Sequence, residues 1–333
     1  MHGWLILDKP VGLGSTQAVS AVKRALREGG YPKVKVGHGG TLDPLASGVL
    51  PIALGEATKL CGRMLNADKV YEFTIVFGIE TDTLDAEGQP VAKNGHRPTL
   101  DEIGAILPSF TGEIEQVPPA YSALKIGGKP AYARARSGET VEMKPRRVKV
   151  HELKSSPERR GGPAKPVEGA AAVMSAVPTS YHAQGALHQP AAGPPPRSGE
   201  ECVTLLARVS KGTYIRSLAR DIARALGTVG HVAMLRRTKA GPFSLQQAIS
   251  LDKLDESAKR RSLEQFLLPL TAGLDDIPAL PVTPDQARLL RQGRKLAGIA
   301  AKSGLHLATD RSVPVALVDL SEGELRVLRG FNL

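Results

Sequence analysis

The loop at residues 37–48 constrains this sequence most, because four glycines there accompany one acidic residue that is followed by proline. Glycine adopts positive φ angles and lets another molecule approach the backbone closely. Pro44 moves Asp43 out of the α region, toward an extended or turn conformation. The pattern therefore predicts a carboxylate held on a non-helical loop. A tight connection with Asp43-Pro44 as turn initiator explains the same residues, and the spacing alone leaves both interpretations open.

The segment before this loop combines a strand, a glycine turn and a helix. Residues 3–7 are apolar and predict a short buried strand. Ser15 or Thr16 is expected to cap the helix that follows. The Gly-x-Gly at residues 12–14 resembles the start of a dinucleotide-binding loop, but Gln17 stands at the third glycine position. A nucleotide-dependent enzyme is therefore the least favoured function.

Two later segments carry an aromatic and a basic candidate. Between residues 69 and 78, Tyr71 alternates with apolar residues, which predicts one face of a strand and makes a core side chain the simplest interpretation. Residues 201–210 predict another strand, and the helix after it is expected to end at Leu226-Gly227. Arg216 in that helix is, by pattern alone, an exposed charge.

The composition favours a polyanionic partner. Lys and Arg total 44 against 33 Asp and Glu, a net charge of +11 that suits nucleic acid before a membrane. Cys61 and Cys202 stand apart with no Cys/His cluster, which predicts neither a disulfide framework nor a zinc site. No apolar run reaches the roughly 18 residues of a membrane span, and signal-peptide features are absent. We expect a soluble cytoplasmic protein.

Residues 155–200 interrupt the pattern of the chain. Half of these residues are Ala, Pro or Gly, and Tyr181 is the only aromatic residue. Such a segment has too little apolar surface to offset its ordering entropy. We therefore expect a flexible insertion.

Four motifs occur in the order found in a known family. Residues 37–59 read Gly-His-Gly-Gly-Thr-Leu-Asp-Pro and continue to Gly-Glu-Ala-Thr-Lys, and residues 209–221 contain Lys-Gly-Thr-Tyr-Ile-Arg. Residues 8–10 read Asp-Lys-Pro, and residues 118–125 read Pro-Pro-Ala-Tyr-Ser-Ala-Leu-Lys. Together they resemble the TruB family of tRNA pseudouridine-55 synthases. In that family the lysine of the Asp-Lys-Pro motif, here Lys9, packs near the catalytic loop. Ser47 replaces the usual threonine and keeps its hydroxyl group.

The resemblance implies an α+β pseudouridine-synthase fold over residues 1–277, with a mixed, largely antiparallel sheet flanked by helices. It also implies a small, β-rich, PUA-like RNA-binding domain at residues 278–333. Asp43 would be the nucleophile, and His38 would lie against the RNA beside the flipped nucleotide. Attack at C6 of the uracil and attack at C1′ of the ribose both remain open.

The resemblance further implies the remaining residues of the pocket. Tyr71 would stack on the uracil and is the candidate acceptor of the C5 proton. Arg216 would pair with Asp43, since a buried carboxylate needs a permanent cation nearby and guanidinium geometry suits it. Tyr214 would line the pocket, and Leu235 would pack against the target base, a role compatible with ordinary core packing.

Basic residues near these motifs are expected to contact RNA phosphates. Residues 127–136 combine glycines, an aromatic residue and three basic residues, although a solvated turn explains them equally well. The candidate backbone contacts are Lys129, Arg134, Arg136, Arg236 and Arg237.

The expected reaction is isomerisation of uridine 55 in the T loop of tRNA, which needs no metal or redox cofactor. The expected partner is the T-stem-loop of tRNA, and the protein is expected to be a monomer with no obligatory protein partner. A guide-RNA-dependent relative in a ribonucleoprotein shares the catalytic motifs, but this sequence has no basic low-complexity tail. A non-catalytic RNA chaperone is disfavoured because Asp43, Tyr71 and Arg216 are all present.

Overall fold

A ten-stranded mixed sheet forms the centre of the larger part of the chain in a computed structural model, which describes residues 1–122, 124–137, 139, 141–156 and 201–333. The strands of this part are β1 (Gly3–Lys9), β2 (Val36–His38), β3 (Ser47–Leu54), β4 (Lys69–Phe77), β5 (Ile79–Thr81), β6 (Pro90–Lys93), β7 (Gly112–Gln116), β8 (Lys125–Ile126), β9 (Lys129–Pro130), β10 (Arg146–Ser155), β11 (Cys202–Val209), β12 (Gly230–Ala240), β13 (Phe243–Ser244) and β14 (Ala248–Ile249). The order is β14-β1-β3-β12-β4-β11-β10-β7, with β2 beside β3 and β13 beside β12. β1 runs parallel to β14 and β3 parallel to β12, and the other pairs are antiparallel.

Helices and the smaller unit cover the sheet. The helices are α1 (Ser15–Glu28), α2 (Cys61–Asn66), α3 (Leu100–Ile106), α4 (Ala131–Arg136), α5 (Ile215–Ala225) and α6 (Leu251–Lys259), with 3-10 turns at Gly55–Leu60, Leu107–Phe110, Leu245–Gln247, Leu263–Phe266 and Leu270–Gly273. Because successive strand residues point to opposite faces, Leu5 and Leu7 pack in the core that contains α1 and α6, and Trp4 and Ile6 pack in another. No helix within the described ranges has the length and apolar character to cross a bilayer.

Several predicted elements are confirmed. The strand predicted at residues 3–7 is β1, that at 69–78 is β4, and that at 201–210 is β11. α5 ends at Ala225 and is followed by Gly227 with a φ of +70°. These elements are short and strongly patterned, so local sequence was enough to predict them.

Other predicted elements differ from the structure. Gly14, not Ser15 or Thr16, precedes the first turn of α1, because the Ser15 hydroxyl is bonded to Leu42 instead. The sequence also predicts one helix over residues 250–268, but α6 ends at Lys259 and a separate 3-10 turn follows. Beyond Ser155 and Ser156, the insertion predicted at residues 155–200 lies outside the described residues.

The smaller unit is a second sheet with one helix. Its elements are β15 (Ala279–Pro281), α7 (Pro284–Arg291), β16 (Leu296–Ala297), β17 (Gly304–Asp310), β18 (Val313–Ser321) and β19 (Glu324–Gly330). The five-stranded sheet has the order β15-β17-β18-β19-β16. Ala287 and Leu290 of α7 pack on Val315 and Val318 of β18 in a core of their own. The predicted α+β class with a β-rich C-terminal unit is confirmed, and the boundary between 277 and 278 stays a prediction.

The smaller unit packs tightly on the larger one. Phe331 is 1% exposed and joins the apolar cluster around Trp4. Lys59 Nζ donates to the Gly330 carbonyl at 2.8 Å, and the Asn332 amide donates to a carboxylate of the larger part at 2.9 Å. Apolar burial flanked by hydrogen bonds therefore fixes the smaller unit beside the 3-10 turn that follows β3.

We predict that Phe331→Ala lowers the free energy of unfolding by about 3–5 kcal/mol, because it empties a buried aromatic site between the units. Urea unfolding followed by circular dichroism measures this loss. Leu328→Ala is the matched control, since Leu328 is 59% exposed and its truncation should cost less than about 0.5 kcal/mol. Equal effects of the two substitutions would contradict the predicted packing.

Candidate active site

The loop between β2 and β3 carries Asp43 and is fixed by contacts on both sides of it. The Leu42 amide donates to Ser15 Oγ at 2.8 Å, and the Ser15 hydroxyl is 3.0 Å from the Leu42 carbonyl oxygen. Gly48 has a φ of +103°, and a Cβ atom there would lie 2.2 Å from the Arg237 carbonyl oxygen. The end of the loop therefore requires glycine, both for its conformation and for the space.

Arg216 lies in the first turn of α5 and bridges two carboxylates. Its Nη2 is 2.9 Å from Asp43 Oδ2, and its Nη1 is 3.1 Å from Asp85 Oδ2. The same nitrogens also donate to the carbonyls of Thr83 and Tyr121. The exposed fractions of the side chains are 7% for Arg216, 38% for Asp43 and 5% for Asp85. Asp43 is thus the solvent-facing end of a buried charge network.

Asp85 was not predicted as a site residue, because residues 81–88 have the composition of an acidic turn. Its Oδ1 accepts hydrogen bonds from Thr83 Oγ1 at 2.5 Å and from the Glu87 amide at 3.1 Å. Leu84 before it is buried with a φ of +62°, an uncommon conformation for a non-glycine residue. A buried guanidinium has five N–H donors, more than one carboxylate can satisfy. A buried Arg216 therefore predicts a second acceptor group, for which an acidic loop such as residues 81–88 is a candidate.

A cleft of about 360 Å³ opens over this network. Its lining contains six of the predicted residues, namely Asp43, Tyr71, Tyr214, Arg216, Leu235 and Arg237. Pockets of this size accommodate small ligands. Among the predicted residues, the structure therefore brings one carboxylate, two guanidinium groups, two phenols and an apolar side chain to a common cavity.

The two tyrosines of the cleft are held in different ways. Tyr71 lies on β4 and also packs against the main core, so its core and cleft roles are compatible. Tyr214 precedes α5, and both its amide and its carbonyl are hydrogen-bonded to the Gln116 side chain, at 2.8 and 3.1 Å. The Arg146 guanidinium lies 4.8 Å from the centre of the Tyr214 ring. Neither Gln116 nor Arg146 was predicted, because both act from strands distant in sequence.

His38 lies at the end of β2 and is not among the residues that line the cleft. Its Nδ1 is buried and has no hydrogen-bond partner among the described residues. Burial and, secondarily, the charge of Arg237 lower the pKa of His38 below its usual value. His38 is therefore a neutral imidazole near pH 7, beside the loop rather than in the cavity.

Two buried lysines, Lys9 and Lys69, donate to backbone carbonyls near the cleft, and Lys69 is part of its lining. Lys9 Nζ donates to the Pro44 carbonyl at 3.3 Å, which confirms that this lysine packs near the loop. Lys69 Nζ donates to three carbonyls at the end of α2. Burial, followed by the charge of Arg237, lowers the pKa of each lysine to about 8.

The structure contradicts the predicted phosphate contact of Arg237. This side chain is 1% exposed, and its guanidinium donates to two carbonyls of the loop that carries Asp43 and to the Val49 carbonyl of β3. It lacks the exposure that a phosphate contact requires. Arg236 next to it is 32% exposed and pairs with Asp8 at 2.7 Å, and its contact with RNA stays a prediction.

The other candidate phosphate contacts lie away from the cleft lining. Lys129 is exposed on β9, and Arg134 on α4 pairs with Glu139 at 2.7 Å. Arg136 is the last residue of α4, and its side chain lies outside the described part of the structure. These three contacts also stay predictions.

The functional groups of the cleft suit chemistry at a carboxylate. Within the described ranges, no group of three or more His, Cys, Asp and Glu side chains has an arrangement that could hold a metal ion. An accessible carboxylate that is oriented by a guanidinium beside two phenols is suited to nucleophilic attack or to stabilisation of positive charge.

We predict that Asp85→Asn destabilises the protein by about 3 kcal/mol, because it leaves the buried guanidinium without its inner counterion. Asp43→Asn, at the 38% exposed end of the same network, should cost less than about 1 kcal/mol. Urea unfolding of the two isosteric variants measures the difference. A larger loss for Asp43→Asn would contradict the described division into inner and outer partners.

We also predict that stability rises with pH between about 8 and 10.5, where folded Lys9 and Lys69 lose protons that the unfolded chain, with a lysine pKa of 10.5, retains. Lys69→Met should remove on the order of 1–2 kcal/mol of the increase between pH 7.5 and 9.5. Urea unfolding at both pH values measures it, with the exposed Lys23→Met as control. The same pH dependence in wild type and Lys69→Met would refute the buried charge at Lys69.

Comparison with known proteins identifies the family of the chain. Residues 24–160 match the TruB family pseudouridylate synthase N-terminal domain, and residues 216–275 match the tRNA pseudouridylate synthase B C-terminal domain. A protein of Zymomonas mobilis named tRNA pseudouridine synthase B is 56% identical over 335 residues, covering 100% of this chain and 96% of the relative. A protein of the same name from Novosphingobium aromaticivorans is 57% identical over 333 residues, covering 100% and 98%.

Solved structures show the same fold. An H/ACA RNP bound to a substrate RNA containing 2′-deoxyuridine has a chain that superposes with a TM-score of 0.65 at 23% identity, covering 99% of this chain and 85% of that one. A Cbf5-Nop10-Gar1 complex gives a TM-score of 0.65 at 24% identity, covering 99% and 84%. With relatives more than half identical along their whole length, the chain belongs to the TruB family of pseudouridylate synthases.

Proposed function

We propose that this pseudouridine synthase isomerises uridine 55 in the T loop of tRNA, with Asp43 as the nucleophile. The relatives named tRNA pseudouridine synthase B support tRNA as the substrate. The observation that carries the role of Asp43 is its 2.9 Å ion pair with Arg216 at the cleft, in which Asp43 alone keeps substantial exposure. A carboxylate that is both oriented and accessible meets the requirement for attack on a bound nucleotide.

The reaction rearranges bonds within one nucleotide. The bond between N1 of uracil and C1′ of ribose breaks, the base rotates, and a bond forms between C5 and C1′. The proton on C5 leaves and N1 takes up a proton, so the product is an isomer of the substrate. Asp43 attacks at C6 or C1′, and Arg216 keeps its carboxylate oriented. Tyr71 at the cleft gives its hydroxyl proton toward N1 and then, as the phenolate, accepts the C5 proton.

The cleft accepts a nucleotide that has left its stack in the RNA. Flipping a base costs a few kcal/mol, which stacking and edge contacts in the pocket offset. Tyr71 and Tyr214 supply aromatic surfaces and Leu235 an apolar one. Gln116 fixes the backbone of Tyr214, and the Arg146 guanidinium lies over its ring. His38, neutral and outside the cavity, lies against the RNA beside the flipped nucleotide.

The basic surface binds the sugar-phosphate backbone of the T-stem-loop. The net charge of +11 supports this attraction. The backbone contacts of this proposal are Lys129, Arg134, Arg136 and Arg236. Residues 278–333 act as a PUA-like RNA-binding domain, and the protein works as a monomer without an obligatory protein partner.

We predict that purified wild-type protein alone forms pseudouridine at position 55 of an unmodified tRNA transcript, and that Asp43→Asn lowers the rate by at least about a thousandfold, because the amide is a poor nucleophile. Chemical labelling of pseudouridine with detection by mass spectrometry measures the product. The affinity of Asp43→Asn for the transcript should stay within about threefold of wild type, since one exposed carboxylate contributes little to RNA binding.

Asp101→Asn is the matched control for this test, because Asp101 is an exposed carboxylate outside the cleft lining. Modification at another uridine would refute the proposed position. Wild-type binding without modification would favour a chaperone or a guide-dependent enzyme. Full activity of Asp43→Asn would exclude this residue as the nucleophile.

A further inference from the structure

Arg237 of β12 occupies an unusual place for an arginine. It is 1% exposed and is among the largest fully buried side chains of the described residues. It belongs to no ion pair among those residues. Its charge also lowers the pKa of two buried lysines, Lys9 and Lys69. A permanent charge buried without a carboxylate is expensive for a fold, so its contacts need an explanation.

The Arg237 guanidinium donates to the loop that carries Asp43 and to β3, the strand that directly follows this loop. Before Asp43, Nη2 donates to the Gly40 carbonyl and Nη1 to the Thr41 carbonyl, each at 3.1 Å. After Asp43, Nε donates to the Val49 carbonyl at 2.7 Å. One planar group therefore connects the entry of the loop to its exit.

The backbone of Arg237 contacts the loop as well. Arg237 pairs in parallel register with Gly48, and the close approach of their backbones leaves no room for a Cβ atom at Gly48. Gly40, with a φ of +142°, lies beside the guanidinium. Side chain and backbone of one residue thus constrain both ends of the loop, while Asp43 between them stays accessible.

We propose that Arg237 is a positioning residue, which fixes the loop so that the Asp43 carboxylate meets Arg216 at the cleft. The inference rests on the proposed function of Asp43 and extends it to a residue that is 1% exposed and acts through the loop. A displacement of about 1 Å at a reacting group can cost about a hundredfold in rate. The planar fork of Arg237 suits this task, because its donors are held in fixed directions.

Lysine at this position would keep the charge but lose the geometry. An ammonium group is a compact point charge, and one such group cannot reach carbonyls on both sides of the loop in the directions of the guanidinium. Arg237→Lys therefore separates charge from positioning. The matched control is Arg261→Lys, because Arg261 also donates to two backbone carbonyls, those of Gly29 and Gly30, but lies outside the cleft lining.

The test compares wild type, Arg237→Lys and Arg261→Lys on the same tRNA transcript. Single-turnover pseudouridine formation should be about a hundredfold slower in Arg237→Lys and unchanged in Arg261→Lys. The dissociation constant for the transcript and its dependence on salt should match wild type in both variants. Amide hydrogen exchange should accelerate in Arg237→Lys at residues 40–49 and nowhere else.

Three outcomes for Arg237→Lys would overturn the inference. A wild-type rate in Arg237→Lys would show that the guanidinium geometry is dispensable. Weaker binding with a smaller salt dependence would identify a phosphate contact. Failure of Arg237→Lys to fold, or faster exchange throughout the larger part, would assign Arg237 to global stability. Absence of modification by the wild-type protein would instead refute the proposed function, so the two failures are distinguishable.

Discussion

The ion-paired bridge from Asp43 through Arg216 to Asp85 is the interaction on which the site depends. Burying a guanidinium costs several kcal/mol unless its donors and charge are compensated. Compensation requires α5, the loop between β5 and β6, and the loop before β3 to meet at once. The unusual backbone at Leu84 is maintained beside this meeting point. The accessible carboxylate is thus one end of a network whose other end is buried.

The order of strands explains why residues distant in sequence share one cavity. β12 lies between β3 and β4, so the loop before β3, Tyr71 of β4 and Leu235 of β12 become neighbours. The buried cations Lys9, Lys69 and Arg237 donate to backbone carbonyls nearby. Polar groups of a loop that cannot form a ladder still need partners when buried, and buried cations supply them. Burial removes water from the charged ammonium groups of Lys9 and Lys69, and this desolvation lowers the pKa of both lysines.

Local sequence predicted strands and helices best where the pattern was strong. Alternating or continuous apolar residues predicted β1 and β4 correctly. Ser15 does not cap α1 as predicted, because its hydroxyl group is hydrogen-bonded to Leu42, a residue distant in sequence. The prediction for Arg237 was wrong because it assumed an exposed side chain, whereas Arg237 is buried. An arginine in a basic pair is usually exposed, and only its position in the centre of the sheet made it a buried donor to the loop that carries Asp43 and to the strand after it.

The sequence by itself determined the chemical groups and the local backbone of the site: a carboxylate before proline in a glycine-rich loop, an arginine at the start of a helix, and tyrosines at a strand and a helix end. The tertiary structure decided which groups are partners. Asp85, Gln116 and Arg237 acquired their roles only there. The physical reason is that local patterns encode backbone preference and the exposed face, whereas the counterion of a buried charge comes from whichever distant segment packs beside it.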